Sequence, residues 1–235
     1  MARTSPEELL PILRSFAFDN GAALFGACSV HGLQETFHFE PGEAEGLDFA
    51  LSMGIRLSSA VLQGIHDSPT LLYKWHYRQA NAQLDRLAFL LAGIVQQHGW
   101  QAVPVPASQV VDWQRQVGHL SHRHVAVAAG LGWLGRNNLL VTPDFGAQVR
   151  LVTVLTDLPV ATSDQLSFGC GQCRACIAAC PAQAIGETPA EFVFERCYAQ
   201  VRSFCKDKNL GVYICGICVK ACPGPRGIAP AERLA

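Results

Sequence analysis

The spacing of apolar positions changes several times along the chain, and each change marks an element. Thr4 or Ser5, followed by Pro6 and Glu7-Glu8, has the form of a helix N-terminus, so residues 6–18 are predicted to be helical until Gly21 breaks the pattern. Residues 22–30 and 49–57 are short runs of small and apolar side chains without alternation, the pattern of strands buried on both faces. A short helix is expected over residues 58–65. A long one follows over 70–97, where Leu84, Leu87, Ala88, Leu91 and Val95 recur at helical spacing and Gly99 ends the run. Residues 102–105, with Pro104 and Pro106, read as a short extended segment, and 121–129 as a further helix.

A glycine-punctuated loop comes next, from Gly130 to Asn138. Residues 139–142 and 149–156 are β-rich and separated by Pro143-Asp144-Phe145-Gly146, which predicts a hairpin. Residues 157–167 read as a connector. The pattern predicts an α/β (α+β) chain divided into a larger first domain, residues 1–163, and a smaller second one, 164–235.

Composition narrows the classes of function. The chain has 235 residues, 49% of them hydrophobic, enough for a substantial core. Eighteen Lys and Arg against nineteen Asp and Glu give a formal charge of −1, with no global attraction to nucleic acid or an anionic membrane. The first twenty residues are broken by Arg3, Pro6, Glu7, Glu8, Pro11 and Arg14, so no signal peptide is expected. The most apolar helical stretch, 87–95, is far short of the roughly 20 residues that cross a bilayer. A cytoplasmic protein without membrane contact is the expectation.

The ten cysteines carry the chemistry. Only Cys28 lies in the first 169 residues, and the other nine fall between Cys170 and Cys222. In a reducing compartment such a cluster argues for metal ligation over disulfides. Cys170, Cys173, Cys176 and Cys180-Pro181 form C-x2-C-x2-C-x3-C-P, the bacterial ferredoxin run, in which three thiolates hold one 4Fe–4S cluster and the fourth ligates another. A second run, Cys215, Cys218 and Cys222-Pro223, has Val212 where the first cysteine would stand, and either Cys197 or Cys205 could supply the missing ligand. The crossing rule assigns Cys170, Cys173, Cys176 and Cys222 to one cluster, and Cys180, Cys215, Cys218 and a cysteine from the intervening stretch to the other. Structural zinc is the alternative occupant of such tetrads, although runs ending in Cys-Pro are less typical of it.

The tract Ala129-Gly130-Leu131-Gly132-Trp133-Leu134-Gly135-Arg136-Asn137, followed by the cysteine runs, resembles the epoxyqueuosine reductase family, over about residues 121–224. There an AGLGWxGK-type loop precedes a ferredoxin module and an isolated cysteine completes the second cluster; the matching residue is Cys197. The resemblance implies a nitroreductase-like first domain holding cobalamin, with Gly130, Gly132, Trp133, Gly135, Arg136 and Asn137 near the cofactor, and a ferredoxin-like second domain with two 4Fe–4S clusters that reduce it. It also implies an electron donor such as a ferredoxin or flavodoxin.

The chain departs from the family in two places. The acidic D-x-x-P-x-x-E-R segment upstream of the loop has no counterpart in residues 114–122; the nearest acid is Asp112, and His119, His122 and His124 surround the place. His122 is therefore the candidate proton donor, with a purely structural helix-face histidine as the alternative. The chain also ends 13 residues after Cys222, without the repeat region that longer members use on tRNA. The expectation is a short paralogue acting on a small-molecule or modified-nucleoside substrate, with tRNA the less favoured partner. A non-catalytic electron carrier with an N-terminal docking domain is the competing reading.

Overall fold

The computed structural model describes residues 3–225; residues 226–235, the end of the expected second domain, lie outside the described residues. In chain order the elements are α1 (Pro6–Asp19), β1 (Leu24–Ser29), β2 (Phe49–Arg56), α2 (Ser59–Gln63), α3 (Leu71–Gln97), β3 (Ala102–Val105), α4 (His122–Ala128), β4 (Trp133–Leu134), β5 (Leu140–Val141), β6 (Val149–Thr156), α5 (Ala175–Ala179), α6 (Phe194–Asp207) and α7 (Ile217–Lys220). They form two compact units whose segments alternate along the chain. Residues 3–55, 80–131 and 150–166 make the first; residues 56–79, 132–149 and 167–225 make the second. Segments 56–79 and 132–149 thus precede the 163/164 division read from the sequence yet belong to the cysteine-bearing unit.

The first unit is a mixed α/β layer structure around one sheet of strand order β1-β2-β6-β3. β1 and β2 run antiparallel, Leu24 opposite Gly54 through Ser29 opposite Phe49, and so do β3 and β6, Ala102 opposite Thr156 through Val105 opposite Thr153. Successive side chains point to opposite faces, and both faces are covered. Phe25, Ala27, Leu51, Met53, Val152 and Val154 pack with Leu9 and Leu13 of α1 and Leu84, Leu87 and Leu91 of α3. Cys28, Ala50, Val105 and Leu155 pack on the other side with Val125 and Ala128 of α4. Burial on both faces explains why these strands read as continuous apolar runs. Pro104 sits in an edge strand, where a missing backbone donor is tolerated. Ser5 caps α1, its side chain accepting the Glu8 amide at 3.4 Å.

The predicted hairpin of 139–142 with 149–156 does not form. β5 pairs back onto β4, Trp133 opposite Val141 and Leu134 opposite Leu140, while β6 lies between β2 and β3. Two local turns account for this. Asn138, in the left-handed region at φ 58°, lets its amide reach the Gly135 carbonyl at 2.9 Å and closes the β4–β5 turn. Thr142 and Gly146 bond each other's backbone at 2.9 and 3.0 Å, closing the Pro143–Gly146 segment on itself and leaving β6 to pair in the larger sheet.

The second unit gathers that hairpin with α2, the start of α3, the short helices α5 and α7 and the 14-residue α6. Lys220, at the end of α7, donates to the carbonyls of Gln63 at 3.2 Å and Ile65 at 2.5 Å, satisfying groups left open after α2. Among the described residues no helix is long and apolar enough to cross a membrane.

Candidate functional site

In the second unit Cys170, Cys173, Cys176 and Cys222 line one cavity of about 300 Å3, together with Trp133, Asn137 and Val141 of the β4–β5 hairpin. The first two cysteines lie on a turn closed by the Cys173 amide on the Cys170 carbonyl at 2.9 Å, and α5 then carries Cys176. Arg136 fixes this loop. Its guanidinium, buried at 6% exposure, donates to the carbonyls of Gly171 at 2.9 Å, Cys173 at 2.8 Å and Glu187 at 2.7 Å. Trp133 Nε1 donates to Cys170 Sγ at 3.3 Å. Cys222 arrives from the second run: the Ala147 amide donates to its carbonyl at 3.0 Å, and Gly146 lies so close to that carbonyl that a Cβ would collide with it. Burial pushes the Cys222 thiol up to about 11, opposed by the Ala147 amide and reinforced by Cys176 and Cys170.

Four of the remaining cysteines, Cys180, Cys197, Cys215 and Cys218, form a second set in the same unit. Burial, then the neighbouring Cys180, raises Cys197. Cys215 is pushed up to about 11 by burial, with the Ile217 amide opposing and Cys197 and Cys180 adding. Cys218 is raised well above its ordinary value by burial and then by Cys215, Cys197, Cys180 and Cys176. The Ala184 amide donates to Cys180 Sγ at 3.4 Å. Cys205, further along α6, is not among the thiols acting on this set. Among the described residues no three His, Cys, Asp or Glu side chains converge tightly enough to hold a single metal ion. Cys28 is buried in the first unit, its thiol directed at the Val125 carbonyl at 3.7 Å and held up to about 11 by burial.

The glycine tract is divided between the units. Gly132, Trp133, Gly135, Arg136 and Asn137 belong to the second, and the last three of its polar or aromatic members, Trp133, Arg136 and Asn137, line the thiol cavity. Gly130 belongs to the first unit, where it borders a separate cavity of about 450 Å3 with Leu131, Ala129, Gly26 and residues of α1, among them Glu7 and Arg14. Gly26 permits the close approach there, since a Cβ would stand 2.6 Å from the Ala129 carbonyl.

The histidines do not form a cluster. His122 has both ring nitrogens engaged, Nδ1 with Thr153 Oγ1 and Nε2 with the Pro106 carbonyl, each at 2.9 Å. A carbonyl can only accept, so Nε2 carries the proton and Nδ1 accepts from the hydroxyl. Part of the residue remains accessible, yet the ring is enclosed, and desolvation drops its pKa to about 4. His119 stacks on Phe39 at 5.0 Å and contacts the His38 carbonyl at 3.1 Å. Burial lowers His124. Asp112 accepts the amides of Gln114 at 2.8 Å and Arg115 at 3.0 Å, and these bonds, the Arg115 amide first, hold its carboxyl below the usual range. Sequence reasoning missed the clamp of Arg136 on the cysteine loop and the Trp133 bond to Cys170. Both depend on the β4–β5 turn that replaced the predicted hairpin.

Comparison with known proteins places these features. No protein-family profile matches the chain. The epoxyqueuosine reductase of Listeria monocytogenes serovar 1/2a is 36% identical over 117 residues, which is 47% of this chain and 31% of that protein. The chain thus matches about a third of the length of that curated relative. Among solved structures, a reductive dehalogenase described in terms of B12-dependent dehalogenation superimposes with TM-score 0.72 at 21% identity, covering 94% of this chain and 32% of that one. An epoxyqueuosine reductase solved with an epoxyqueuosine-modified tRNA-Tyr stem loop gives TM-score 0.61 at 21% identity, covering 93% of this chain and 66% of that one. The chain is therefore similar to the epoxyqueuosine reductases in sequence over about half its length, and it shares its fold with them and with the reductive dehalogenases.

Proposed function

We propose that this protein is an iron–sulfur oxidoreductase in which two 4Fe–4S clusters deliver electrons to a corrinoid that reduces a small or nucleoside-like substrate. The observation that carries the reading is the thiol cavity. Three cysteines of the first run and Cys222 of the second line one space, the crossed ligation of two-cluster ferredoxins. The donor set fits a cluster: four thiols, one already accepting the Trp133 N–H, in an apolar wall that includes Val141, Ala175 and Pro223. Cys180, Cys197, Cys215 and Cys218 would hold the second cluster, with amides of Ala184 and Ile217 directed at its sulfurs. Structural zinc is the competing occupant of such tetrads, and runs ending in Cys-Pro are less typical of it than of ferredoxins.

For the corrinoid, the first unit offers the 450 Å3 cavity beside Gly130, within the size range of about 300–1,000 Å3 for small-molecule sites. That cavity suits a portion of so large a cofactor, and Glu7 and Arg14 at its rim can hydrogen-bond polar substituents. A bound corrinoid would supply a strongly nucleophilic reduced cobalt. The protein's own residues bind, orient and insulate. The reductant would be a ferredoxin- or flavodoxin-like carrier, and the likeness to a protein solved with a modified tRNA stem loop supports a modified nucleoside as the substrate class. A cytoplasmic location accords with ten free thiols.

The carrier reading draws its support from His122 and Asp112. The imidazole is neutral with both nitrogens bonded and the carboxyl is held ionised, so neither is poised to donate a proton. Anaerobic reconstitution followed by iron analysis and cobalamin titration separates the readings. About eight iron atoms per chain and a cobalamin spectral change are expected. Cys197→Ser should degrade one cluster and Cys205→Ser neither. Eight iron atoms without any response to cobalamin would leave the carrier, and zinc in place of iron would overturn both.

A further inference from the structure

Asn137 is 3% exposed and lines the cavity bounded by Cys170, Cys173, Cys176 and Cys222. Its Oδ1 accepts the Leu139 amide at 3.3 Å, which settles the orientation of the side-chain amide. Its Nδ2 is then a buried donor with no partner. Such a group is costly to bury and calls for an explanation. The chain keeps it at a position prepared for it, since a Cβ at Gly135 would stand 2.9 Å from Oδ1. A second side-chain N–H from the same hairpin, Trp133 Nε1, already donates to Cys170 Sγ at 3.3 Å.

We propose that Asn137 donates a hydrogen bond from Nδ2 to a sulfur of the cluster held by Cys170, Cys173, Cys176 and Cys222, and with Trp133 raises the reduction potential of that cluster. The proposal rests on the two-cluster reading above. One-electron reduction makes the cluster more negative without breaking a bond. A donor aimed at its sulfurs stabilises the reduced state more than the oxidised one. An amide does this without gaining or losing a proton, so its effect holds across the pH range.

The test is a redox titration, followed by EPR, of the reconstituted full chain and its Asn137→Asp, Asn137→Leu and Trp133→Phe variants. Asn137→Asp keeps the Oδ1 acceptor for Leu139 and removes the donor; Asn137→Leu removes the donor without adding charge. Trp133→Phe marks which potential belongs to this cluster. Iron content unchanged at about eight per chain, with the marked potential shifted downward in all three variants and the other unmoved, is the expected result. In the wild type labelled with side-chain 15N-asparagine, pulsed EPR of the reduced cluster should show a nitrogen coupling that Asn137→Leu lacks. Unmoved potentials in variants that keep their iron would overturn the proposal. So would loss of the cluster in both Asn137 variants, which would make the residue a structural support. Wild-type protein that takes up zinc instead of iron would fail at the earlier step and overturn the cluster reading itself.

Discussion

His122 makes a measurable statement about acid stability. Folded, its ring stays neutral down to about pH 4, whereas in the unfolded chain it takes a proton near 6.5. Between those values the unfolded state binds the extra proton, so stability is full above about pH 6.5, declines as pH falls and has lost the contribution by about pH 4. The difference converts to about 3 kcal/mol. Urea unfolding of wild type and His122→Gln across this range should show the steeper decline in the wild type. Turnover lost in a folded His122→Gln protein would instead assign the residue a proton-donor role. The two cysteine runs were legible because their spacings are short and local. The partners of His122 were not, because Pro106 and Thr153 lie 16 and 31 residues away and only the fold brings them to the ring. Asn137 was legible only as part of a glycine tract, and its orphan donor emerges once Leu139 has claimed its oxygen.

Between residues and the whole stand the elements, and here the β4–β5 hairpin matters most. It presents Trp133 and Asn137 to the thiol cavity while its turn carries Arg136. A Cβ at Gly132 would collide with the Val141 carbonyl, so Gly132→Ala should force the two strands apart at a cost of about 1–3 kcal/mol. Reconstituted Gly132→Ala protein should lose iron from one cluster and keep the other. Gly93→Ala is the control: nothing lies within 4 Å of a Cβ there, and alanine in the interior of α3 should add about 0.5–1 kcal/mol. Chemical denaturation and iron analysis check both. The long elements were readable from an N-terminal helix signal, an unbroken apolar run and helical periodicity, as the limits of α1, β2 and α3 respectively attest. The short helices α5 and α7 were not, since four or five residues are too few to show a period.

For the whole molecule, the two units draw on different sources of stability. The first buries fully enclosed leucines such as Leu9, Leu84, Leu87 and Leu91, each worth about 1.5–3 kcal/mol, and uses no cysteine of the two sets. The second is built of short helices and loops around the thiols, and on the two-cluster reading it draws folding energy from its metal. Removing iron anaerobically with a chelator should therefore raise hydrogen exchange in residues 132–149 and 167–225 while the strands β1, β2, β3 and β6 stay protected. Uniform loss of protection, or none, would contradict that division. The mixed α/β class was visible in the sequence. The interleaving of the units was not, because nothing local in 56–79 or 132–149 announces that these segments join a cysteine module far downstream.

That interleaving sets an order of events on the ribosome. The sheet of the first unit is complete once β6 has emerged, with the β4–β5 hairpin already made and waiting for the chain that it will serve. The thiol cavity closes only when Cys222, last of the cysteines, leaves the exit tunnel. A nascent or prematurely ended chain lacking that residue would have three sulfurs where four are needed. On the two-cluster reading, metal loading then reports that the chain has been made at least as far as Cys222.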